Sequence, residues 1–168
     1  FCRCGTTIAP AGNLGREWVG IEITHLAISL IKHRLQDTYG EKITYEIVGE
    51  PVSHESAKAL AEEDRFQFEI WALGLVGARP DKAEKGADQG IDGVLYFHDD
   101  NSGDTKTIII SVKSGGVGVR YIRELQAVVE RENAQIGVLI TLQRPTKNMV
   151  SEAASAGFYD SPWGTKHP

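Results

Sequence analysis

Three polar side chains near the middle of the chain have types and spacing that suit phosphodiester chemistry. Asp92 precedes the apolar run Val94–Phe97, and Lys113 follows a second run, Thr107–Val112. The turn-forming residues between the runs predict a β-hairpin that puts Asp92 opposite Lys113, with Cβ atoms roughly 4.5–5.5 Å apart. Ser111 points to the same face as Lys113. A carboxylate can hold a divalent metal, and an ammonium can orient water or stabilise charge on a phosphate.

The motifs around this hairpin follow a recognisable order. GADQGIDG leads into the first strand, and SVK ends the second. This pattern, D-(x)n-(E/Q/S)-x-K, resembles the PD-(D/E)XK nucleases, and most closely their Mrr-like restriction endonuclease branch. The helix VRYIRELQAVVEREN, the strand IGVLITL and the helix TKNMVSEAASAGF then follow as in that branch. The resemblance spans roughly Asp64 to Tyr159. It implies an α/β fold with a three-layer α/β/α core around a central mixed sheet.

The resemblance also implies an activity, the hydrolysis of double-stranded DNA with Mg²⁺. Asp92 and the carbonyl of Val112 would hold the metal. Lys113 would position the attacking water, and Ser111 would orient water or phosphate. Ser111 stands where the family usually has Glu, Asp or Gln, and a hydroxyl is a poor ligand for a hard cation. We therefore expect a further acidic residue if a metal binds.

Three residues outside the hairpin strands are candidates to complete such a site. Glu69 lies in the predicted helix FQFEIWALGLV, where nucleases of this class often carry an additional acidic group, and Asp88 precedes the first strand. Gln126 lies on the helix that follows Lys113, where related folds use a polar residue. The alternative for Glu69 is a solvated carboxylate on a helix face.

The first two dozen residues carry a second pattern. FCRCGTTIAPAGNLGREWVGIEIT predicts a turn, a short helix and a strand. It resembles the S-adenosylmethionine motif of DNA amino-methyltransferases, F-x-G-x-G-T-T followed by GIE. The cofactor-contacting positions by this resemblance are Phe1, Gly5, Thr6 and Glu22, with Glu22 accepting hydrogen bonds from ribose hydroxyls as in dinucleotide folds. Arg3 replaces the first glycine of the motif.

The methyltransferase pattern is incomplete in this chain. The catalytic tetrapeptide [DNS]-PP-[YFW] does not occur in the sequence. We therefore expect residues 1–40 to be the Rossmann-like C-terminal remnant of an N4/N6 amino-methyltransferase, and residues 41–168 to be the nuclease-like domain. In this interpretation the chain is a fragment of a restriction–modification protein and does not methylate DNA alone.

Composition limits the partners of the chain. The 168 residues carry 18 Lys and Arg against 23 Asp and Glu, a net charge of −5, which disfavours contact with phosphates except through local basic patches. Two such patches are Lys32-His33-Arg34 and the face that carries Arg120, Arg123 and Arg131. No apolar run approaches the roughly 20 residues that cross a membrane, so we expect a cytoplasmic protein without a membrane partner. A homodimer is left open.

Two classes of function remain after this reasoning. In the first, the main domain is a metal-dependent endonuclease with Asp92 and Lys113 at its centre. In the second, it is a catalytically degenerate nuclease fold that binds DNA or serves as an interaction module beside a methyltransferase. The pairing of Asp92 with Lys113 favours the first, whereas Ser111 and the acidic net charge favour the second.

Overall fold

A computed structural model describes residues 2–81, 90–99, 103–164 and 166–167 of the chain. Contacts between residues divide it into two units, Phe1–Gly74 and Leu75–Pro168. Among the described residues no helix is long and apolar enough to cross a bilayer. The first unit contains the 3-10 turns Arg3–Gly5 and Gly40–Lys42 and the helices α1 Ile8–Asn13, α2 His25–Tyr39, α3 His54–Glu63 and α4 Arg65–Leu75, whose last residue lies past the boundary.

The second unit contains the strands of the structure. Its elements are β1 Arg79–Pro80, β2 Gly93–Phe97, β3 Lys106–Lys113, α5 Val119–Arg131, β4 Ile136–Thr141, α6 Lys147–Ser155, β5 Tyr159–Asp160 and β6 Lys166–His167.

Helix α2 organises the first unit. Its start is capped by the Thr24 hydroxyl, which accepts the Ala27 N–H at 3.3 Å, and Gly40 follows its last residue with a φ of 58°. That backbone conformation favours glycine, as expected for a helix stop. Ile31 and Leu35 of this helix are buried and form a core with Ile8. The segment HLAISLIKHRLQDTY thus forms one helix that stops at a glycine.

The strand predicted to carry Glu22 is wrong. Residues 16–22 and 43–48 have no strand assignment, and Val19, Ile21 and Ile23 are 93%, 69% and 74% exposed. The β-branched alternation in GIEIT predicted a strand, but a strand needs a hydrogen-bonded neighbour, and the described residues of the first unit supply none. The segment KITYEIV likewise forms no strand, for the same reason. The Rossmann-like arrangement predicted for residues 1–40 is therefore not formed, while the boundary predicted after Gly40 stays a prediction.

The described part of the second unit has a four-stranded sheet in the order β1-β2-β3-β4. Strands β2 and β3 are antiparallel, and β4 runs parallel to β3. Helix α5 packs on this sheet through Leu125 and Val128, which form a core with Ile109. The prediction of an α/β fold with a central mixed sheet is confirmed, and the helix–strand–helix order after the hairpin matches the one predicted.

The register of the hairpin differs from the predicted one by two residues. Gly93 pairs with Ile110 and Phe97 pairs with Lys106, so Asp92 lies level with Ser111 rather than with Lys113. The prediction of a direct Asp92–Lys113 pair was wrong because turn-forming residues mark a turn without fixing its centre. Since side chains alternate with a period of two, a shift of two residues keeps Asp92, Ser111 and Lys113 on one face.

Candidate functional site

The site forms where β2 begins and β3 continues past it. Strand β2 starts at Gly93, so β3 extends beyond the paired region at Ser111, Val112 and Lys113. The Asp92 N–H donates to the Ile110 carbonyl at 3.0 Å, which fixes the backbone that carries the carboxylate. The N–H of Val112, further along β3, donates to the side-chain carboxylate of Asp92 rather than to a backbone carbonyl.

One oxygen of Asp92 receives three hydrogen bonds. Its Oδ2 accepts from the Val112 N–H at 2.6 Å, from the Ser111 hydroxyl at 3.0 Å and from the Lys113 ammonium at 3.3 Å. Ser111 is 6% exposed, and the side chains of Asp92 and Lys113 are 17% and 23% exposed. Hydrogen bonds to an ionised acceptor are stronger than neutral ones. The carboxylate thus joins the two strands at the sheet end.

Lys113 contacts an aromatic ring that the sequence analysis did not single out. Its Nζ lies 6.0 Å from the ring centroid of Tyr121, in the first turn of α5. This separation is at the outer limit of a cation–π contact. The sequence signal for this contact was an aromatic residue in the helix that follows the strand carrying Lys113. The ammonium is thus placed between Asp92 and Tyr121, and the predicted convergence of Asp92 and Lys113 is observed.

Among the described residues, this cluster offers a divalent metal a single carboxylate, that of Asp92. The described residues contain no group of three His, Cys, Asp or Glu side chains that could hold a metal. Mg²⁺ is usually bound through one or two carboxylates with octahedral oxygen geometry. Here Asp92 Oδ2 already accepts three donors, and the Ser111 hydroxyl donates to it. The Mg²⁺ role of Asp92 and of the Val112 carbonyl stays a prediction without support from this donor set.

The other predicted members of the nuclease site stay predictions. Glu69 lies in α4, within the first unit, and its side chain is half-buried. Gln126 lies in α5, and its amide donates to Glu130 Oε1 at 3.0 Å. Asp88 lies outside the described residues.

The positions assigned to S-adenosylmethionine have structural contacts of their own. Gly5 has a φ of +83°, and a Cβ there would lie 3.2 Å from Ile31 Cγ1, so this glycine allows close packing against α2. Glu22 Oε1 accepts the N–H of Ile23 at 3.1 Å, Thr6 is exposed, and Phe1 lies outside the described residues. Because the strand before α2 is absent, these residues do not fit the implied cofactor site. Binding of S-adenosylmethionine stays an untested prediction.

The basic patch on α5 is neutralised by neighbouring carboxylates. Arg120 pairs with Glu124 at 2.7 Å, and Arg131 pairs with Glu132 at 2.8 Å. Arg123 binds Glu152 of α6 through two hydrogen bonds of 2.6 and 3.3 Å. This contact raises the pKa of Arg123 and lowers the pKa of Glu152. The three arginines therefore present little net positive charge for phosphates.

The sheet, the helix after it and the Asp92–Ser111–Lys113 cluster define a restriction-endonuclease-like domain. A family model described as NACHT-associated inactive Restriction Endonuclease 1 matches residues 66–160. The match covers more than half of the chain, and the chain belongs to this family. Comparisons with curated proteins and with solved structures returned no match. None of these findings supports the methyltransferase remnant predicted for the first 40 residues.

Proposed function

We propose that this chain carries a restriction-endonuclease-like domain that does not cleave DNA and serves as a protein-interaction module. The observation that carries the proposal is the triple hydrogen bond to Asp92 Oδ2. A carboxylate that accepts hydrogen bonds from Val112, Ser111 and Lys113 stabilises the end of the sheet. Ser111 stands where the resembled nucleases usually have Glu, Asp or Gln, and its hydroxyl is a poor ligand for a hard cation. The description of its family as inactive agrees with this geometry.

A protein partner is favoured over DNA by charge. The net charge is −5, and Arg120, Arg123 and Arg131 are each paired with a glutamate. Binding to a phosphate backbone depends on cations that can replace condensed counterions. Because the family is described as NACHT-associated, we propose a NACHT-associated role for this module as well.

Cleavage and binding assays test the proposal together. Supercoiled plasmid is incubated with the purified chain and Mg²⁺ or Mn²⁺, beside the Asp92→Asn and Lys113→Ala variants. We expect no metal-dependent nicking by any of the three proteins. We also expect that, at low salt, the wild-type chain shifts a DNA duplex in a gel no more than an Arg123→Gln variant does.

Two outcomes would overturn the proposal. The first is nicking by the wild-type chain that requires the metal and is lost in Asp92→Asn and Lys113→Ala, since that pattern assigns catalysis to the cluster. The second is duplex binding that weakens with salt and with the loss of the basic side chains, which would identify DNA as the partner.

A further inference from the structure

Strand β4 has one paired and one open edge. It runs parallel to β3 and stands last in the sheet, and no strand among the described residues pairs with its other edge. The unpaired N–H and C=O groups of such an edge form a template for a further strand. Proteins usually protect an open edge with charged residues or proline. The sequence of β4, IGVLIT, contains neither.

A cavity of about 1310 Å³ follows this edge. Residues from both faces of β4 line it, Gly137 and Leu139 from one and Val138 from the other, so the cavity reaches round the edge of the strand. Its other walls combine apolar residues of α5 and α6, such as Leu125 and Met149, with residues of β5 and β6, among them Tyr159 and His167. Small-molecule pockets usually measure about 300–1,000 Å³. The size and apolar walls of this groove therefore suit a peptide segment better than a small ligand.

The two ends of the groove differ in charge. Glu130 lines it near the start of β4, and Arg144 lines it beyond the end of the strand. Asp160 lines it as well, and its carboxylate pairs with Lys166 at 3.1 Å. The only described side-chain hydrogen bond of Glu130 comes from the neutral amide of Gln126. An incoming strand with a basic residue at one end and an acidic residue at the other would match both charges.

We infer that the open edge of β4 binds one extended strand of a partner protein, about six residues long. The strand would carry apolar side chains in alternation, a basic residue beside Glu130 and an acidic residue beside Arg144. Main-chain hydrogen bonds to β4 would supply affinity, and the groove between β4, α5 and α6 would select the side chains. This inference rests on the proposed interaction role and names the surface that performs it.

Peptide binding tests the inference directly. The probes are fluorescent peptides of the sequence Lys-Val-Thr-Val-Thr-Val-Glu and of its reverse, since parallel and antiparallel strands place the charges oppositely. Matched controls are the same peptides with N-methylated alternate amides, which keep the side chains and remove main-chain donors. We expect saturable anisotropy changes with at least one order, weakened about tenfold or more by N-methylation. Hydrogen exchange should slow in residues 136–141 when that peptide binds.

Charge-reversal variants test the ends of the groove. Arg144→Glu and Glu130→Lys should each weaken binding about two- to fivefold, as for an exposed ion pair. Lys147→Glu is the matched control, because this exposed lysine lies in the same region and outside the groove lining. It should leave the affinity unchanged.

Three results would overturn the inference. The first is that neither peptide binds. The second is that the N-methylated peptides bind as well as the unmodified ones, which would show that the groove recognises side chains alone. The third is that light scattering shows a dimer in which residues 136–141 are protected from hydrogen exchange, which would assign the edge to a second copy of this chain. Metal-dependent cleavage of plasmid by the same preparation would instead remove the proposed function and leave peptide binding to be judged separately.

Discussion

Replacing Asp92 with alanine should strongly lower the free energy of unfolding of the second unit, because the carboxylate stabilises the fold without any ligand. The variant leaves the Val112 N–H without its acceptor at a residue that is 4% exposed, and it removes the partner of the Ser111 hydroxyl. An unsatisfied buried donor costs roughly 1–3 kcal/mol. The hydroxyl can rotate toward another acceptor, and Lys113 can be hydrated, so they add about 1 kcal/mol together. We expect a loss of about 2–4 kcal/mol.

Urea unfolding followed by circular dichroism and tryptophan fluorescence measures this loss. Asp92→Asn is the conservative comparison, because its amide oxygen can still accept from Val112 and Ser111, and it should cost less than the alanine variant. Glu62→Ala is the matched control, since it removes a carboxylate that is 70% exposed and pairs with Lys58. Such an exposed pair contributes about 0–1 kcal/mol.

The result that refutes this reasoning is equally specific. A carboxylate held ready for a metal often costs stability, so its removal is neutral or stabilising. If Asp92→Ala unfolds within about 0.5 kcal/mol of wild type, or at higher urea, the three hydrogen bonds do not stabilise the fold. The cluster would then have to be regarded as a functional site.

Three further outcomes are expected. Ser111→Ala should cost about 1 kcal/mol in urea unfolding, since it removes one hydrogen bond and leaves Asp92 two donors; no loss would show that this bond is absent in solution. Tyr159→Phe, which removes the hydrogen bond to Asp99 and keeps the ring against Phe97, should cost about 1 kcal/mol as well, and an unchanged unfolding midpoint would contradict it. Burial lowers the pKa of His25, whose Nδ1 has no partner among the described residues. Because the unfolded chain then binds the proton more readily, stability should fall as pH drops below about 6.5. His25→Gln should flatten that dependence, and an unchanged pH profile would refute it.

The shared face of the site was predictable, and its hydrogen bonds were not. A period of two places Ser111 and Lys113 on one side of β3 whatever the turn, and any even shift of register brings Asp92 to the same side. Whether Asp92 accepts the Val112 N–H depends on the residue at which β2 begins, and a run of apolar residues does not fix that residue. Local spacing therefore identified the three side chains but not the way in which they bind one another.

The first unit shows the opposite case. Helix α2 depends on local signals, since Thr24 and Gly40 act within one turn of its ends. The strand predicted around Ile21 failed because strand formation depends on a neighbour distant in sequence. The alternation in GIEIT is a local preference, and residues 16–22 have no strand assignment.

Titration of the chain with Mn²⁺, followed by calorimetry and electron paramagnetic resonance, tests the central claim most directly. The claim is that Asp92 Oδ2 is committed to Val112, Ser111 and Lys113 and holds no divalent metal. We predict no saturable binding that differs between the wild-type chain and Asp92→Asn. Stoichiometric Mn²⁺ binding by the wild type that is lost in Asp92→Asn would contradict the claim.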